Sequence, residues 1–183
     1  MTTAKERGAE VRRRLVAAAA EVVVERGWTA ATTRVVAERA GVAPGLVHYH
    51  FESVQALLAE AVMTTARELT GQMTALLDTA EDAGDTVAKL VRGLDDFSGA
   101  DPASVLLIEA FLAATRDERL RERLGAVITG LRDDLTDRFA GQGVPDPAGT
   151  AAVLLASVDG MMLHRGLLGP VDNATVLRRL VRS

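Results

Sequence analysis

The residues best suited to contact a ligand lie in a short stretch, residues 44–51. When these residues are placed on a helix at steps of about 100° with Val47 inward, Gly45 and Tyr49 lie on the opposite side. Leu46 and His48 flank them, and such an uncharged face is unusual for a solvated helix. Tyrosine and histidine can bond phosphate oxygens or base edges, and glycine permits close backbone approach. The face predicts contact with a DNA groove, the alternative being a plain amphipathic hairpin with a packed aromatic end.

Two short helices would hold this face in place. The first begins at Thr32, a residue type that caps helix N-termini, and ends at Gly41, where a left-handed conformation costs glycine little. The second begins at Pro44, because proline suits the first position of a helix. The pattern predicts a helix, a sharp turn and a recognition helix.

A longer helix is predicted to precede this pair, from Glu10 to Arg26, with residues 1–9 disordered. Gly27 ends that helix, and Trp28, the single tryptophan, is interpreted as a lid over the small three-helix core. Three consecutive basic residues near the start of the helix cannot all point the same way. The three residues are Arg12, Arg13 and Arg14, and we expect at least one or two of them to be free to reach a phosphate backbone, the alternative being a solvated basic turn.

The net charge of −4 conceals an uneven distribution. Residues 1–51 contain eight basic and five acidic residues and carry +3, whereas the rest of the chain carries −7. A basic end on an acidic body is typical of a protein that touches DNA at one end, because contact with phosphates dominates affinity.

Composition and length limit the remaining possibilities. The chain has 183 residues and no cysteine, which excludes disulfides and thiolate catalysis. It contains no run of 18 uncharged apolar residues, so no membrane span is expected. We therefore expect an intracellular, cytoplasmic protein that needs no metal or other cofactor.

The rest of the chain reads as a series of helices separated by polar or Gly/Pro-containing turns. Their apolar residues recur at helical spacing. The fourth helix is long enough to extend from the N-terminal region, which we call the head (residues 1–52), into the remainder of the chain, which we call the body (residues 53–183). The predicted ranges are 53–77, 86–97, 103–115, 117–140, 148–168 and 173–182.

One charged residue, Glu109, interrupts the apolar helix 103–115, which should be central. A carboxylate there either pairs with a basic residue such as Arg116 or lines a ligand cavity. A modestly hydrophobic small molecule would bind near a set of five residues in the body. They are Phe97, Glu109, Phe111, Met162 and His164.

The order of a helix, Gly27-Trp28, a Thr-initiated helix ending Ala40-Gly41-Val42 and a short helix reaching Phe51 resembles the TetR/AcrR family of transcriptional repressors. The close match covers about residues 10–62. The resemblance implies an all-α fold of about nine helices. A three-helix helix-turn-helix DNA-binding domain, residues 1–52, would be joined to a helical ligand-binding and dimerisation domain, residues 53–183.

The resemblance also implies the contacts. The protein would work as a homodimer paired through its last two long helices, on an inverted-repeat operator, with recognition helices about 34 Å apart. Phosphates and bases would be contacted from the start of the second helix and from the third. With the arginines at the start of the first helix, the expected DNA-binding residues are Arg12, Arg13, Thr32, Thr33, Arg34, Ala43, Pro44, Gly45, Leu46, His48, Tyr49 and His50.

Three positions depart from the family pattern. Ala43 replaces the usual Ser or Thr cap, His48 with Tyr49 replaces the favoured tyrosine, and Val54 replaces a phosphate-contacting lysine. The prediction is a ligand-responsive, dimeric repressor, with a helical protein-interaction module that has lost DNA binding as the alternative. Catalysis is not expected, because no paired carboxylates at usable spacing, zinc signature or nucleophile motif is present.

Overall fold

A computed structural model describes residues 4–94, 97–169 and 174–181. Within these ranges the chain forms nine α-helices and two short 3₁₀ helices, Trp28–Ala30 and Arg178–Val181, and no strand, so the all-α prediction is confirmed. The α-helices are α1 (Ala4–Arg26), α2 (Thr33–Ala40), α3 (Gly45–His50), α4 (Val54–Leu77), α5 (Ala83–Arg92), α6 (Pro102–Ala114), α7 (Glu118–Gly141), α8 (Pro147–Leu168) and α9 (Ala174–Leu177).

The helices pack into two compact units. The N-terminal unit comprises the chain to Thr65 together with Val105–Arg121, and the C-terminal unit comprises Ala66–Ser104 and the chain from Glu122 onward. The sequence did not indicate that a segment near residue 110 packs with the N-terminal helices. The predicted domain boundary after residue 52 stays a prediction.

The core of the N-terminal unit is built from α1, α2, α3 and α4. Val47 and Phe51 are buried, as the helical phase predicts. The other fully buried side chains of this core include Leu15, Val22, Val36, Leu57, Leu58 and Val62. Arg39 on α2 ties that helix to α1 through its ion pairs with Glu21 and Glu25, and this pairing lowers the pKa of the Glu25 carboxyl.

Helix α1 begins at Ala4, six residues before the predicted start. The prediction of disorder is therefore wrong for residues 4–9, and residues 1–3 lie outside the described ranges. The added turn carries Glu6, whose charge favours a helix N-terminus, and Lys and Arg are good helix formers. The predicted end at Arg26 is confirmed. The helix stops there because Gly27 has a φ of 81°, which is not helical.

The turn between α2 and α3 forms as its residues predict. The Thr32 hydroxyl accepts a hydrogen bond from the Val35 amide at 3.4 Å, and α2 follows directly. Gly41 adopts the left-handed conformation with φ 63°, and the Val42 amide donates back to the Ala37 carbonyl at 3.0 Å. This arrangement closes the helix end and reverses the chain.

The C-terminal unit has its own apolar core. Phe139 and Leu135 of α7 pack there with side chains from α4, α5 and α8. Its buried members are Leu77, Ala83, Val87, Leu90, Leu135, Phe139, Val144, Ala151, Leu154, Leu155 and Val181.

Helix α5 differs most from prediction. It spans Ala83–Arg92, whereas residues 86–97 were predicted. The predicted turn is in fact a helix start, because the Asp82 carboxylate accepts the Asp85 amide at 2.7 Å. Apart from the early start of α1, the helices α2, α3, α4, α6, α7 and α8 begin and end within two residues of their predicted bounds. The last segment splits into α9 and a 3₁₀ helix, and the predicted ends at Asn173 and Arg182 lie outside the described residues.

Helix α6 is less enclosed than its composition suggests. Phe111 and Leu112 are 41% and 54% exposed, so the prediction of a fully central helix is wrong on that face. Helix α8, with Asp159 and Arg165 within it, is the one described helix long and apolar enough to cross a membrane. Core helices of non-membrane proteins pass the same test of length and composition.

The start of α6 supplies a pH-dependent element of stability. Burial tends to raise the pKa of the Asp101 carboxyl, but hydrogen bonds from the Ser104 hydroxyl and amide and from the Ser98 amide hold it below its ordinary value. The carboxylate therefore stabilises the fold above about pH 4, the ordinary Asp pKa, and this contribution is lost as acid protonates it. Asp101→Asn is expected to lower the melting temperature at pH 7 and to flatten its fall between pH 5 and pH 3; a variant with the wild-type pH profile would contradict this role.

Candidate nucleic-acid interface

The predicted DNA-contacting residues of α2 and α3 lie in two short segments, residues 32–34 and 43–50, and most of them are exposed. Seven of these residues are exposed: Thr32, Arg34, Ala43, Pro44, Gly45, His48 and Tyr49. The other three, Thr33, Leu46 and His50, are half-buried. We call these ten residues the α3 surface.

Tyr49 is the most prominent side chain of the α3 surface, with 79% of its area exposed. Its ring meets the His50 ring edge-on, with centroids 4.9 Å apart. On the opposite side of α3, Val47 is completely buried. The predicted orientation of α3 is confirmed, and no lysine, arginine or acidic residue lies within the helix.

The two arginines of α1 that were predicted to contact DNA, Arg12 and Arg13, have different surroundings. The Arg12 guanidinium lies 4.9 Å from the centre of the Phe51 ring and 3.6 Å from the Glu60 carboxylate, and its side chain is 46% exposed. Arg13 is 76% exposed and pairs with Glu10 on the same helix. Arg13 is therefore the more exposed of the two, whereas Arg12 also packs against Phe51 at the end of α3, and the phosphate contacts of both stay predictions.

Arg14, the last of the three consecutive arginines of α1, has a role that the sequence did not indicate. One nitrogen of Arg14, Nη2, donates to the carbonyl of Ala40 and, at 3.2 Å, to that of Gly41. The pattern of three arginines predicted divergent directions but not this target, because the acceptors lie 26 and 27 residues away along the chain. One signal was available: every helix C-terminus leaves carbonyls without a partner, so a basic side chain near the end of α2 could have been expected.

Glu109 also has a partner that neither predicted alternative named. Its Oε2 accepts a hydrogen bond from the Trp28 backbone amide at 2.8 Å. The Trp28 indole N–H donates to Gln55 Oε1 at 3.2 Å, near the start of α4. The only charged residue of α6 thus caps the 3₁₀ helix after α1, and Trp28 joins α6 to α4 within the N-terminal unit.

This contact predicts a measurable loss of stability. Glu109→Ala removes the acceptor and leaves the Trp28 amide without its partner, which should cost about 1–2 kcal/mol. We also expect the emission of the single tryptophan to change. Thermal unfolding and fluorescence of Glu109→Ala can be compared with Glu118→Ala, which removes an exposed helical ion pair to Arg121. Equal behaviour of the two variants would contradict the capping role.

The five predicted ligand-binding residues are divided between the two units. Glu109 and Phe111 belong to the N-terminal unit, whereas Phe97, Met162 and His164 belong to the C-terminal unit. Within the latter, Met162 is buried and His164 is exposed. The Phe97 carbonyl accepts a hydrogen bond from Arg165 at 3.2 Å, which attaches the segment after α5 to α8. A shared cavity formed by all five residues stays a prediction.

A different cavity is present on the N-terminal unit. It has a volume of about 290 Å³ and lies between α1 and α2, lined by Val22, Arg26, Val35, Glu38 and Arg39. None of the predicted ligand-binding residues lines it. In the described part of the chain, no group of three His, Asp or Glu residues is placed to hold a metal ion.

Comparison with known proteins assigns both parts of the chain. Residues 15–61 match the family model of bacterial regulatory proteins of the tetR family, and residues 78–183 match the tetracyclin repressor-like C-terminal domain. The HTH-type transcriptional regulator BetI of Rhizobium meliloti strain 1021 is 29% identical over 161 residues, covering 85% of this chain and 78% of BetI.

Solved structures agree in fold over nearly the whole chain. SCO7518 from Streptomyces coelicolor A3(2) superposes with a TM-score of 0.81 at 25% identity, covering 95% of this chain and 99% of that one. The multidrug binding protein EbrR, complexed with malachite green, has a TM-score of 0.70 at 26% identity and covers 94% and 98%. Since the two family models together account for the N-terminal helices and most of the remainder, the chain belongs to the TetR family of transcriptional regulators.

Proposed function

We propose that this protein is a dimeric repressor that binds an inverted-repeat operator through the α3 surface and is released by a small molecule. The observation that carries the proposal is the exposure of Tyr49 and Gly45 on a helix anchored from behind by Val47. An uncharged helix face can enter the major groove, while the exposed Arg13 on α1 and Arg34 on α2 would contact phosphates. The net charge of +3 on residues 1–51 would draw this end of the chain toward DNA.

The proposed dimer uses the exposed apolar side of α8 together with α9. Val153, Leu163 and Leu167 are 52%, 47% and 82% exposed, and Ala156 and Gly160 lie between them at helical spacing. This stripe repeats every three or four residues, which is the pattern of a helix that packs along another helix. Val176 of α9 is 59% exposed as well. A second copy would cover these side chains and fix the distance between the two recognition helices.

The proposed effector is a modestly hydrophobic small molecule that binds in the body, near the five residues predicted for it. The complex of EbrR with malachite green supports this class of ligand, because that protein resembles this chain over nearly its full length. The effector would favour a conformation whose recognition helices are wrongly spaced. The site of action would be the cytoplasm, where operator DNA is found.

Sequence selection from random duplex DNA tests the proposal. We expect the wild-type protein to enrich one sequence, and we expect affinity for it to fall steeply between 50 and 200 mM salt, in the range of ~10³-fold or more if six or more phosphates are contacted. Retention of a protein partner without any enriched DNA sequence would instead favour the interaction module that has lost DNA binding.

A further inference from the structure

The turn between α2 and α3 receives side-chain hydrogen bonds at the end of α2 but has no side-chain cap at the start of α3. At its exit, α3 begins without a side-chain cap, since Ala43 and Pro44 offer no acceptor to the first amides of the helix. At its entry, the Arg14 guanidinium donates to the carbonyls of Ala40 and Gly41. These are C-terminal carbonyls of α2, where the helix leaves acceptors unsatisfied and carries partial negative charge.

The position of Arg14 is closely fitted to this turn. Gly41 has a φ of 63°, and a Cβ atom at this position would lie 3.0 Å from Arg14 Nη2. Glycine therefore permits both the left-handed backbone and the close approach of the guanidinium. Arg14 precedes the fully buried Leu15, which holds this part of α1 in the core. The guanidinium is therefore presented to the turn from a fixed element rather than from a mobile terminus.

The recognition helix itself is short and depends on that turn. Helix α3 has six residues, and backbone carbonyls just before it accept from two of its first amides: Leu46 donates to Ala43 at 2.9 Å and Val47 to Pro44 at 3.1 Å. Val47 is the one buried residue within α3. A change in the path of the turn would consequently rotate or shift the exposed face that carries Tyr49.

We infer that Arg14 is a positioning residue for DNA recognition, which fixes the helix-turn-helix angle by clamping the C-terminal carbonyls of α2 and compensates for the missing cap at Ala43. It acts through the backbone of the turn and makes no phosphate contact. This inference rests on the proposed function, because positioning matters only if α3 reads DNA.

The neighbouring Arg13 provides a matched control with the opposite expected signature. Arg14→Gln should weaken binding to the selected duplex about tenfold, while the slope of log affinity against log salt and the affinity for a scrambled duplex of equal length stay as in the wild type. Arg13→Gln should lower that slope by about 0.9 for each phosphate that the side chain no longer neutralises, and it should weaken binding to both duplexes alike. An Arg14→Gln variant that behaves like Arg13→Gln, or that binds both duplexes like the wild type, would overturn the assignment.

A rescue separates positioning from a general loss of stability. Ala43→Ser introduces the cap that α3 lacks, and in the Arg14→Gln background it should recover part of the lost affinity for the selected duplex. Arg14→Lys, which keeps a cationic donor, should fall between the wild type and Arg14→Gln. No recovery with either variant would count against the clamp.

Amide hydrogen exchange tests the inference without DNA, so it remains decisive if no operator is selected. The amides of Val42 and Leu46 should exchange about tenfold faster in Arg14→Gln than in the wild type, and at wild-type rates in Arg13→Gln. Unchanged exchange in Arg14→Gln would overturn the clamp. Failure of sequence selection in the wild type would overturn the proposed function, and with it the role of Arg14 in DNA recognition, but not the clamp itself.

Discussion

Tyr49→Ala is expected to weaken binding to the selected operator by at least about tenfold while leaving the melting temperature unchanged. A side chain that contacts base edges or phosphates in the groove contributes about 1–3 kcal/mol, and a dimer would lose this contribution at both heads. Stability should not suffer, because 79% of the Tyr49 surface is exposed in the folded chain. Its ring meets only the edge of His50 among the described aromatic contacts.

Fluorescence anisotropy of a labelled duplex measures this effect, with thermal unfolding measured in parallel. Tyr49→Phe divides the role further, since it keeps the ring and removes the hydroxyl donor. Arg34→Glu should add a loss that depends strongly on salt, because it reverses a charge beside the groove. Operator affinity within twofold of the wild type for Tyr49→Ala would rule out α3 as the reading helix.

The double substitution Val153→Glu/Leu163→Glu is expected to convert the proposed dimer into a folded monomer. Both side chains are about half exposed in the single chain, so the carboxylates remain solvated when the chain is alone. In the proposed dimer the same carboxylates would be buried without partners against a second copy of α8. Burying charges in that way costs several kcal/mol, which a helix-on-helix interface does not tolerate.

Sedimentation velocity reports the oligomeric state, and circular dichroism confirms the helical content. The control is Leu112→Glu, which places a carboxylate on an exposed apolar position of α6 and should leave the dimer intact. Since two linked heads gain roughly 10²–10⁴-fold in affinity over one, the monomer should also lose operator binding by about that factor. A double variant that stays dimeric would show that α8 is not the interface.

The helix-turn-helix was predictable because its signals are local. Thr32 caps α2 through an amide three residues on, and Gly41 ends it through its own φ angle. The helical phase of α3 followed from Val47 and Phe51, since one buried position fixes all the others at 100° steps. Such features need no knowledge of the rest of the chain.

Features that depend on distant partners were not predictable in this way. Arg14 bonds carbonyls 26 and 27 residues away, and Glu109 bonds an amide 81 residues away. Periodicity can show that Glu109 interrupts an apolar helix, but it cannot show which amide the carboxylate will meet. The predicted start of α5 was wrong for another reason. An aspartate in a polar run, such as Asp82, can either belong to a turn or cap a helix, and the composition of this run favours a turn.

The most direct test of the central claim is the sequence that the wild-type protein selects from random duplex DNA, together with the number of chains bound to it. The account predicts an inverted repeat with half-site centres about one helical turn, ~34 Å, apart, occupied by two chains. An enriched sequence without two-fold symmetry, bound by a single chain, would contradict it, and so would the absence of any enrichment at low salt.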